Sequence, residues 1–204
     1  MVFTGLIEHL GTLIDAKPTK TGVRLLIQPQ TWPYQPTLGE SISVDGCCLT
    51  LAVDPSEYKA CFAFDVIPES LAKTTMGSLA PGQRVHLESS ATLATLLGGH
   101  LVQGHVDGVG RVVNVQREDQ WRVRIAPPAE LMAYLVPKGS VCVKGVSLTI
   151  AALDVTQAWF EVALIPTTLS KTTLGELDVG HQVNLECDSI AKTVVHYLRH
   201  FQGR

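Results

Sequence analysis

The sequence predicts an all-β fold of two tandem homologous six-stranded antiparallel barrels, followed by a C-terminal α-helix. Three observations lead to this prediction. The chain repeats its own phrases in the same order, and its apolar residues alternate over short segments between glycines and prolines. Its last segment changes to a helical period.

The internal repeat sets the domain organisation. Three phrases recur, namely 44–50 ("VDGCCLT") at 143–149 ("VKGVSLT"), 64–90 at 162–188, and 4–14 at 103–113. Three matches in one order indicate that a small domain was duplicated. We therefore expect a first barrel over residues 1–97, a second over 98–187 and a helix over 188–204.

Each half contains about six short segments with a period of two, rich in β-branched residues. The clearest are 41–53, 59–67 and 84–90 in the first half, and 140–153, 158–165 and 182–188 in the second. Glycine and proline separate them, as at Pro55, Gly82 and Gly180. Many short strands in so short a chain favour a small closed barrel, which leaves no exposed sheet edge.

A few short helices interrupt the predicted strands. We expect one at 29–35 and one at 128–136, the latter with Pro128 near its first turn. The repeated segments 70–79 and 168–177 predict a helical turn that ends at Gly77 or Gly175.

The final segment predicts a helix with one apolar stripe. Ile190, Val194, Leu198 and Phe201 follow each other at helical spacing, and Asp188 or Ser189 can cap the helix. The stripe must pack against something. The sequence leaves open whether this is the chain's own barrel or the same helix in other subunits.

Composition excludes several classes of function. A net charge of -3 and a pI near 6.1 give no reason to expect nucleic acid or an anionic membrane as a partner. We expect no secretory signal at the N-terminus, and no membrane span. The five cysteines fit neither zinc pairs nor a disulfide framework, so we expect reduced thiols and a cytoplasmic location.

The repeated phrase predicts a repeated polar wall. A strand period of two puts Cys48 and Thr50 on one face, and Ser147 and Thr149 on the equivalent face of the second half. Two copies of one fold then offer two similar sites for two similar ligands. Serine and threonine are also common in strands without any function, and the phrase alone does not decide between these interpretations.

The glycine-rich segment 98–110 is the other candidate site. His100 and His105 face opposite ways on an extended strand and lack a third ligand, so we expect no metal site. His105 has no counterpart in the first half, where Leu6 takes its place. An unmatched histidine beside a site is a candidate acid or base, and a structural histidine is the alternative.

Together, these residues resemble a known family. "FTGLIE", "GCCLT", "FDVIPESL", "GGHLVQGHVDG", "GVSLT", "LIPTTL" and "VNLE" are similar to the riboflavin synthase family of the trimeric alpha-chain type, over essentially the whole chain. The resemblance implies two lumazine-binding barrels of Greek-key topology. It also implies a homotrimer held by C-terminal oligomerisation helices, with lumazine synthase as a further candidate partner.

The resemblance further implies a reaction. Family members convert two molecules of 6,7-dimethyl-8-ribityllumazine into riboflavin and 5-amino-6-(D-ribitylamino)uracil, the last step of riboflavin biosynthesis. One substrate gives a four-carbon unit to the other, without a metal or a cofactor. Each barrel would hold one substrate molecule.

Candidate site residues follow from the same resemblance. Expected substrate contacts of the first barrel are Phe3, Gly5, Leu6, Ile7, Cys48, Leu49, Thr50, Asp65, Val66, Ile67, Pro68, Glu69 and Ser70. Those of the second barrel are Gly104, His105, Val106, Lys138, Ser147, Leu148, Thr149, Ala163, Leu164, Ile165, Pro166, Thr167 and Thr168. Expected catalytic residues are Ser41, Cys48, His105, Ser147, Thr149 and Asp188, with His100 in a supporting role.

Roles for these residues follow from the implied chemistry. Cys48 and Ser147 are candidates to add to, or hydrogen-bond, the C7 region of a substrate ring. His105 with Thr149 is the expected proton relay. The rival hypotheses are a non-catalytic lumazine or flavin carrier, a flavoprotein reductase and a structural scaffold. The reductase needs a nucleotide-binding α/β domain, for which this chain has no room, and a scaffold leaves the polar repeat unexplained.

Overall fold

The computed structural model describes residues 1–58 and 61–201. The first half forms a barrel of six strands: β1 (His9–Pro18), β2 (Val23–Pro29), β3 (Ser41–Val44), β4 (Cys47–Thr50), β5 (Phe62–Val66) and β6 (Arg84–Ser89). They are antiparallel in the order β4-β3-β6-β1-β2-β5, and a bridge from Leu51 to Phe64 joins the two edges. Residues 59 and 60, which begin one of the predicted strands, lie outside the described residues.

The second half repeats this architecture as a closed barrel. Its strands are β7 (Gly108–Gln116), β8 (Trp121–Ala126), β9 (Ser140–Val143), β10 (Val146–Asp154), β11 (Trp159–Leu164) and β12 (Gln182–Cys187). They close in the order β10-β11-β8-β7-β12-β9. The last strand of each half lies between the first and the third, as in a Greek key. The predicted fold class is confirmed.

Each barrel has its own apolar core. In β8, Val123 and Ile125 are buried and alternate with half-buried arginines, which is the period of two expected for a strand with one face inside. Leu13, Leu25 and Ile27 play the same part in the first barrel. Fully burying one such side chain contributes roughly 1.5–3 kcal/mol, so either core is a substantial source of stability.

The short helices differ in part from expectation. A 3-10 helix at Ala129–Tyr134 lies in the predicted segment and buries Leu131 and Met132. The helix expected at 29–35 is wrong. Pro29 ends β2, and residues 30–35 form no helix. Trp32 instead packs edge-on against Phe62, with 5.1 Å between the ring centroids.

The repeated helical turns are also built differently. The helices α1 (Pro68–Lys73) and α2 (Pro166–Lys171) each end before an extended threonine, and 3-10 helices follow at Thr75–Ser78 and Thr173–Glu176. Each threonine caps the following segment by accepting a bond from a backbone N–H. The expectation that a glycine ends the turn is therefore wrong, because the threonine cap ends it earlier.

The final helix, α3 (Ser189–Phe201), leaves its apolar stripe in solvent. Asp188 caps it, with Oδ1 accepting from the Ile190 N–H at 2.8 Å. Ile190, Val194, Leu198 and Phe201 are all exposed, so the stripe does not pack on the chain's own barrels. Residues 202–204 of the predicted helical segment lie outside the described residues. None of the helices in the described part of the chain has the length and apolar character needed to cross a bilayer.

The two barrels exchange the segments that precede their first strands. Phe3 and Val102 pair as an isolated antiparallel bridge, with N···O distances of 2.7 and 3.1 Å. Beyond this bridge the segments cross over. Ile7 enters the core of the second barrel, and Val106 packs against the core of the first. We call residues 3–7 the first exchanged segment and residues 102–106 the second.

Candidate active site

Each exchanged segment lies on the repeated phrase of the other half. The Cys48 N–H donates to the Gly104 carbonyl, and the Ser147 N–H donates to the Gly5 carbonyl, both at 2.8 Å. We call the surface around Cys48 and Thr50 the first site, and the surface around Ser147 and Thr149 the second site. Each site therefore combines residues from both halves of the chain.

This arrangement corrects the expected grouping of the ligand contacts. We expected Gly5–Ile7 beside Cys48 and Gly104–Val106 beside Ser147. The structure has the opposite pairing, because the segments cross after the Phe3–Val102 bridge. A repeat alignment matches phrase with phrase inside each half, so it cannot reveal which half a segment packs against.

The strand period places the polar side chains as expected. Cys47 and Leu49 are buried in the first core, while Cys48 is half-buried and Thr50 is exposed. In the second half, Val146 and Leu148 are buried, Ser147 is half-buried and Thr149 is exposed. A repeated polar wall follows directly from this alternation.

Cys48 is held as a thiol. Burial raises the pKa of Cys48 above its ordinary value of 9.0, although the Ser41 hydroxyl and the N-terminal amine oppose this. Ser41 pairs with Thr50 across β3 and β4. At neutral pH the sulfur is therefore protonated. A thiol can donate a hydrogen bond or make a van der Waals contact, but it is a poor nucleophile.

Ser147 is oriented by a histidine. His100 Nδ1 lies 2.6 Å from Ser147 Oγ. Burial lowers the pKa of His100 below 6.5, while the carboxylate of Asp188 acts in the opposite direction. A neutral imidazole at neutral pH can accept the serine proton, so the second site contains a hydroxyl with a base beside it.

His105 is not joined to Thr149 within one chain. It lies in the second exchanged segment, over the first site, and its side chain is exposed. Thr149 belongs to the second site. Among the hydrogen bonds of the described residues, none links the two, so the expected relay is not assembled within a single chain.

Two buried carboxylates hold the exchanged segments. Glu88 on β6 accepts three hydrogen bonds from Thr4 and Gly5, and Glu186 on β12 accepts three from the backbone of Gln103, Gly104 and His105. Burial raises the pKa of both carboxyl groups above 4.5, and the amide donors oppose this shift. The same device thus occurs once in each half.

The comparisons with known proteins agree on one family. The family described as "Lumazine binding domain" matches residues 4–90 and 103–188. Riboflavin synthases of Mycobacterium tuberculosis and Bacillus subtilis are 43% and 36% identical to this chain over 201 and 200 residues. The alignments cover 97% of this chain in both cases, and 98% and 90% of those relatives. This chain belongs to the riboflavin synthase family.

Solved structures agree with the fold of this riboflavin synthase family member. The crystal structure of LumP complexed with riboflavin matches with a TM-score of 0.77 at 27% identity. LumP complexed with 6,7-dimethyl-8-(1'-D-ribityl) lumazine matches with a TM-score of 0.75 at 24% identity. Each match covers 91% of this chain and 98% of the LumP chain.

The remaining candidate residues of this riboflavin synthase family chain lie around the two sites in equivalent places. Asp65 is exposed on β5 and held by Arg24 through two bonds of 2.7 Å, and its counterpart on β11 is Ala163. Ile67 and Ile165 are exposed, at 53% and 62%, just before the helices α1 and α2. The first turns of these helices supply Pro68, Glu69, Ser70, Pro166, Thr167 and Thr168.

Several expected contacts can offer only their backbone. Leu49, Val66, Leu148 and Leu164 point into the barrel cores. Lys138 differs from these four residues, because its side chain is exposed. Its φ of 64° is the left-handed conformation that Gly39 adopts at the equivalent turn of the first barrel. Where a buried side chain was expected to touch substrate, strand amides and carbonyls remain the available groups.

Sequence reasoning missed Glu88 and Glu186. Both stand in the repeated phrases "VHLESS" and "VNLECD", where an acidic residue occupies the same place on two apolar strands. A buried carboxylate needs partners, so this repeated acid was the available signal. No group of three or more possible metal-ligating side chains converges within residues 1–58 and 61–201.

A polar cleft lies elsewhere in the molecule. It measures about 760 Å³ between the two barrels and is lined by residues including Arg84, Arg111, Lys144, Thr173 and Gln182. It includes none of the candidate site residues. At the two sites themselves, Thr50 and Thr149 are exposed.

Proposed function

We propose that the protein is a riboflavin synthase. It is a transferase that converts two molecules of 6,7-dimethyl-8-ribityllumazine into riboflavin and 5-amino-6-(D-ribitylamino)uracil. The observation that carries this proposal is the pair of equivalent sites, each completed by a glycine segment from the other half. A reaction between two identical molecules calls for two similar sites.

The second site is the better place for the donor substrate. Its Ser147 hydroxyl can add to C7 of the ring or hydrogen-bond there, and neutral His100 takes the serine proton. Asp188 stabilises the imidazolium that results, because its carboxylate acts on His100.

The first site then suits the acceptor. The Cys48 thiol and the segment carrying His105 face this substrate. His105 is the candidate base for removing a proton from the C7 methyl group. As the four-carbon unit moves, two C–C bonds form and two C–N bonds of the donor break, so the transfer needs no net oxidation. Holding two rings together can supply effective molarities of about 10⁵ M or more.

We infer that the two substrates meet between chains, in a homotrimer. The barrels of one chain touch through their hairpin tips, where a Cβ on Gly46 would lie 2.6 Å from Gly145 N. Ile67 and Ile165 stay exposed beside the sites. A first site that faces the second site of the next chain gives a head-to-tail contact, and a rotation of one third of a turn between neighbours closes such contacts into a ring of three.

The exposed stripe of α3 supports this assembly, since an apolar stripe in solvent calls for a partner. Val194→Lys should give monomers by sedimentation and keep the fold, because the side chain is exposed. His196→Lys puts the same charge on the opposite face of the helix and should leave the trimer intact.

The turnover assay tests the function directly. Purified protein is mixed with the lumazine, and riboflavin is followed by its yellow absorbance and fluorescence. Steady formation of riboflavin and 5-amino-6-(D-ribitylamino)uracil in equal amounts is the expected result. Tight binding without yellow product would replace the proposal with a lumazine or flavin carrier.

Three further assignments belong to the proposal. We keep the boundaries 1–97, 98–187 and 188–204 for the barrels and the oligomerisation helix. The five unpaired thiols support a cytoplasmic location. Lumazine synthase is the candidate protein partner, because it would deliver the substrate, and copurification of the two proteins tests this.

A further inference from the structure

We propose that Glu88 and Glu186 are positioning residues that act crosswise, each setting the geometry of the site on the other barrel. Glu186 sits on the second barrel and sets the first site, and Glu88 sits on the first barrel and sets the second site. This proposal rests on the proposed function, since it assigns each carboxylate to one substrate molecule.

The contacts of Glu186 fix the backbone over Cys48. Its Oε1 accepts from the Gln103 N–H at 2.6 Å, and its Oε2 accepts from the N–H groups of Gly104 and His105 at 2.9 and 3.1 Å. Gly104 in turn accepts from the Cys48 N–H. The carboxylate therefore links β12 to the first site through one short run of backbone.

The contacts of Glu88 repeat this pattern on the other side. Its Oε1 accepts from the N–H and the hydroxyl of Thr4 at 2.6 and 2.7 Å, and its Oε2 accepts from the Gly5 N–H at 3.1 Å. Gly5 accepts from the Ser147 N–H. Glu88 thus links β6 to the second site.

A carboxylate is the group this geometry requires. Three donors converge on two oxygens, and an ionised carboxyl group offers only acceptors. A glutamine would turn an NH₂ group towards at least one of these N–H donors. Both glutamates are 3% exposed, so water cannot replace a lost bond easily.

The contacts of the two glutamates have a role beyond stability, because they fix the parts of the exchanged segments that lie at the sites. The Phe3–Val102 bridge already anchors both segments at one end. The glutamates fix the following residues, where the candidate base His105 stands in one segment and Leu6 in the other. We expect a shift of this backbone to move one site and to leave the other unchanged.

The experiment compares Glu186→Gln with Glu88→Gln in the full-length protein. The probe is 6,7-dimethyl-8-ribityllumazine labelled with ¹³C at the C6 methyl group alone and observed before turnover consumes it, so that each occupied site gives one bound NMR signal. Thr50→Trp and Thr149→Trp assign the signals, because each fills one site at an exposed position. We expect Glu186→Gln to shift the first-site signal and weaken that site by about tenfold or more, and Glu88→Gln to do the same at the second site.

Each variant is the control for the other. A purely structural role would weaken both sites together and lower the thermal midpoint without site preference, and this result would overturn the proposal. So would unchanged signals in both variants.

A measurement on the unmutated protein covers variants that fail to fold. Without ligand, the amides of Gly104, His105 and Gly5 should exchange slowly with solvent deuterium, and fast exchange would overturn the proposal. If the wild-type protein bound no lumazine at all, the proposed function would fail, while the exchange rates would still decide whether the glutamates hold the segments.

Discussion

Gly5 and Gly104 bring the exchanged segments close against Ser147 and Cys48. Their φ angles are 72° and 74°, a conformation that L side chains rarely adopt. A Cβ on Gly5 would lie 2.6 Å from the Cβ of Ser147, and one on Gly104 would lie 2.6 Å from the Cβ of Cys48. Conformation and space both require glycine here.

Gly104→Ala should therefore destabilise the protein by about 1–3 kcal/mol and distort the first site. Gly82→Ala is the matched control, since Gly82 has φ 90° but nothing within 4 Å of its added Cβ. Urea unfolding and lumazine titration measure both effects. If the two variants lost equal stability and equal affinity, the contact with Cys48 would not matter.

The pair of His100 and Ser147 predicts a pH dependence. Because burial lowers the pKa of His100 below 6.5, the base is neutral at pH 7 and is lost only as the pH falls further. Asp188→Asn removes the charge that raises this pKa, so the acid limb of kcat/KM should move to lower pH. His100→Gln should remove the limb and lower the rate by about 10²–10⁴-fold.

The control for this pH profile is His181→Gln, because His181 lies in the cleft between the barrels and outside both sites. The acid limb of kcat/KM in His181→Gln should lie at the same pH as in the wild-type protein. A limb that moved upwards in Asp188→Asn would contradict the assignment of His100 as the base.

At the scale of secondary-structure elements, the strands were predictable and their partners were not. Alternation placed Cys48 and Thr50 on one face because side-chain direction is a local property of a strand. The crossing of residues 3–7 onto the second barrel depends on the Phe3–Val102 bridge, which joins residues far apart in sequence. The bond from His100 to Ser147 was hidden for the same reason.

A matched pair of side chains on β6 and β12, His86 and Asn184, bonds each barrel to the other. His86 Nε2 accepts from the Thr173 N–H at 2.8 Å, and Nδ1 donates to the Lys144 carbonyl at 2.7 Å. Asn184, at the equivalent place, accepts from Thr75 at 2.7 Å and donates to the Asp45 carbonyl at 2.9 Å. One half thus uses a titratable group where the other uses a neutral amide.

This difference predicts that His86→Asn protects the protein from acid. Burial lowers the pKa of His86 below 6.5, and the charge of Lys144 lowers it further, while Asp45, Glu176 and the bond to the Lys144 carbonyl act to raise it. As the pH falls through 6.5, the unfolded state binds a proton that the folded state does not, so stability declines by up to about 1.4 kcal/mol per pH unit. The asparagine variant keeps both bonds and lacks this loss.

Urea unfolding at pH values of about 7.5 and 5.5 measures the effect. The free energy of unfolding should fall less in His86→Asn than in the wild-type protein between these values. Other titratable groups cancel in the comparison, because both proteins contain them. An equal decline in the two proteins would show that His86 titrates alike in the folded and unfolded states.

On the scale of the whole molecule, duplication and exchange have different consequences. Duplication supplies two sites of one kind, and exchange binds the halves together because each completes the site of the other. The barrels also meet at their hairpin tips, at Gly46 and Gly145, while Ile67 and Ile165 stay exposed. The proposed trimer requires that the two sites of one chain do not face each other.

Mixed oligomers test this conclusion. Thr50→Trp blocks the first site and Thr149→Trp blocks the second, both at exposed positions that should not disturb the cores. Each variant alone should be nearly inactive. In rings assembled at random from equal amounts of both, about one quarter of the contacts join an intact first site with an intact second site of the neighbouring chain. Coexpression should therefore restore roughly a quarter of the wild-type rate. Because every chain in the mixture has one blocked site, no single chain could account for that activity, and a mixture as inactive as its parts would mean that both substrates react within one chain.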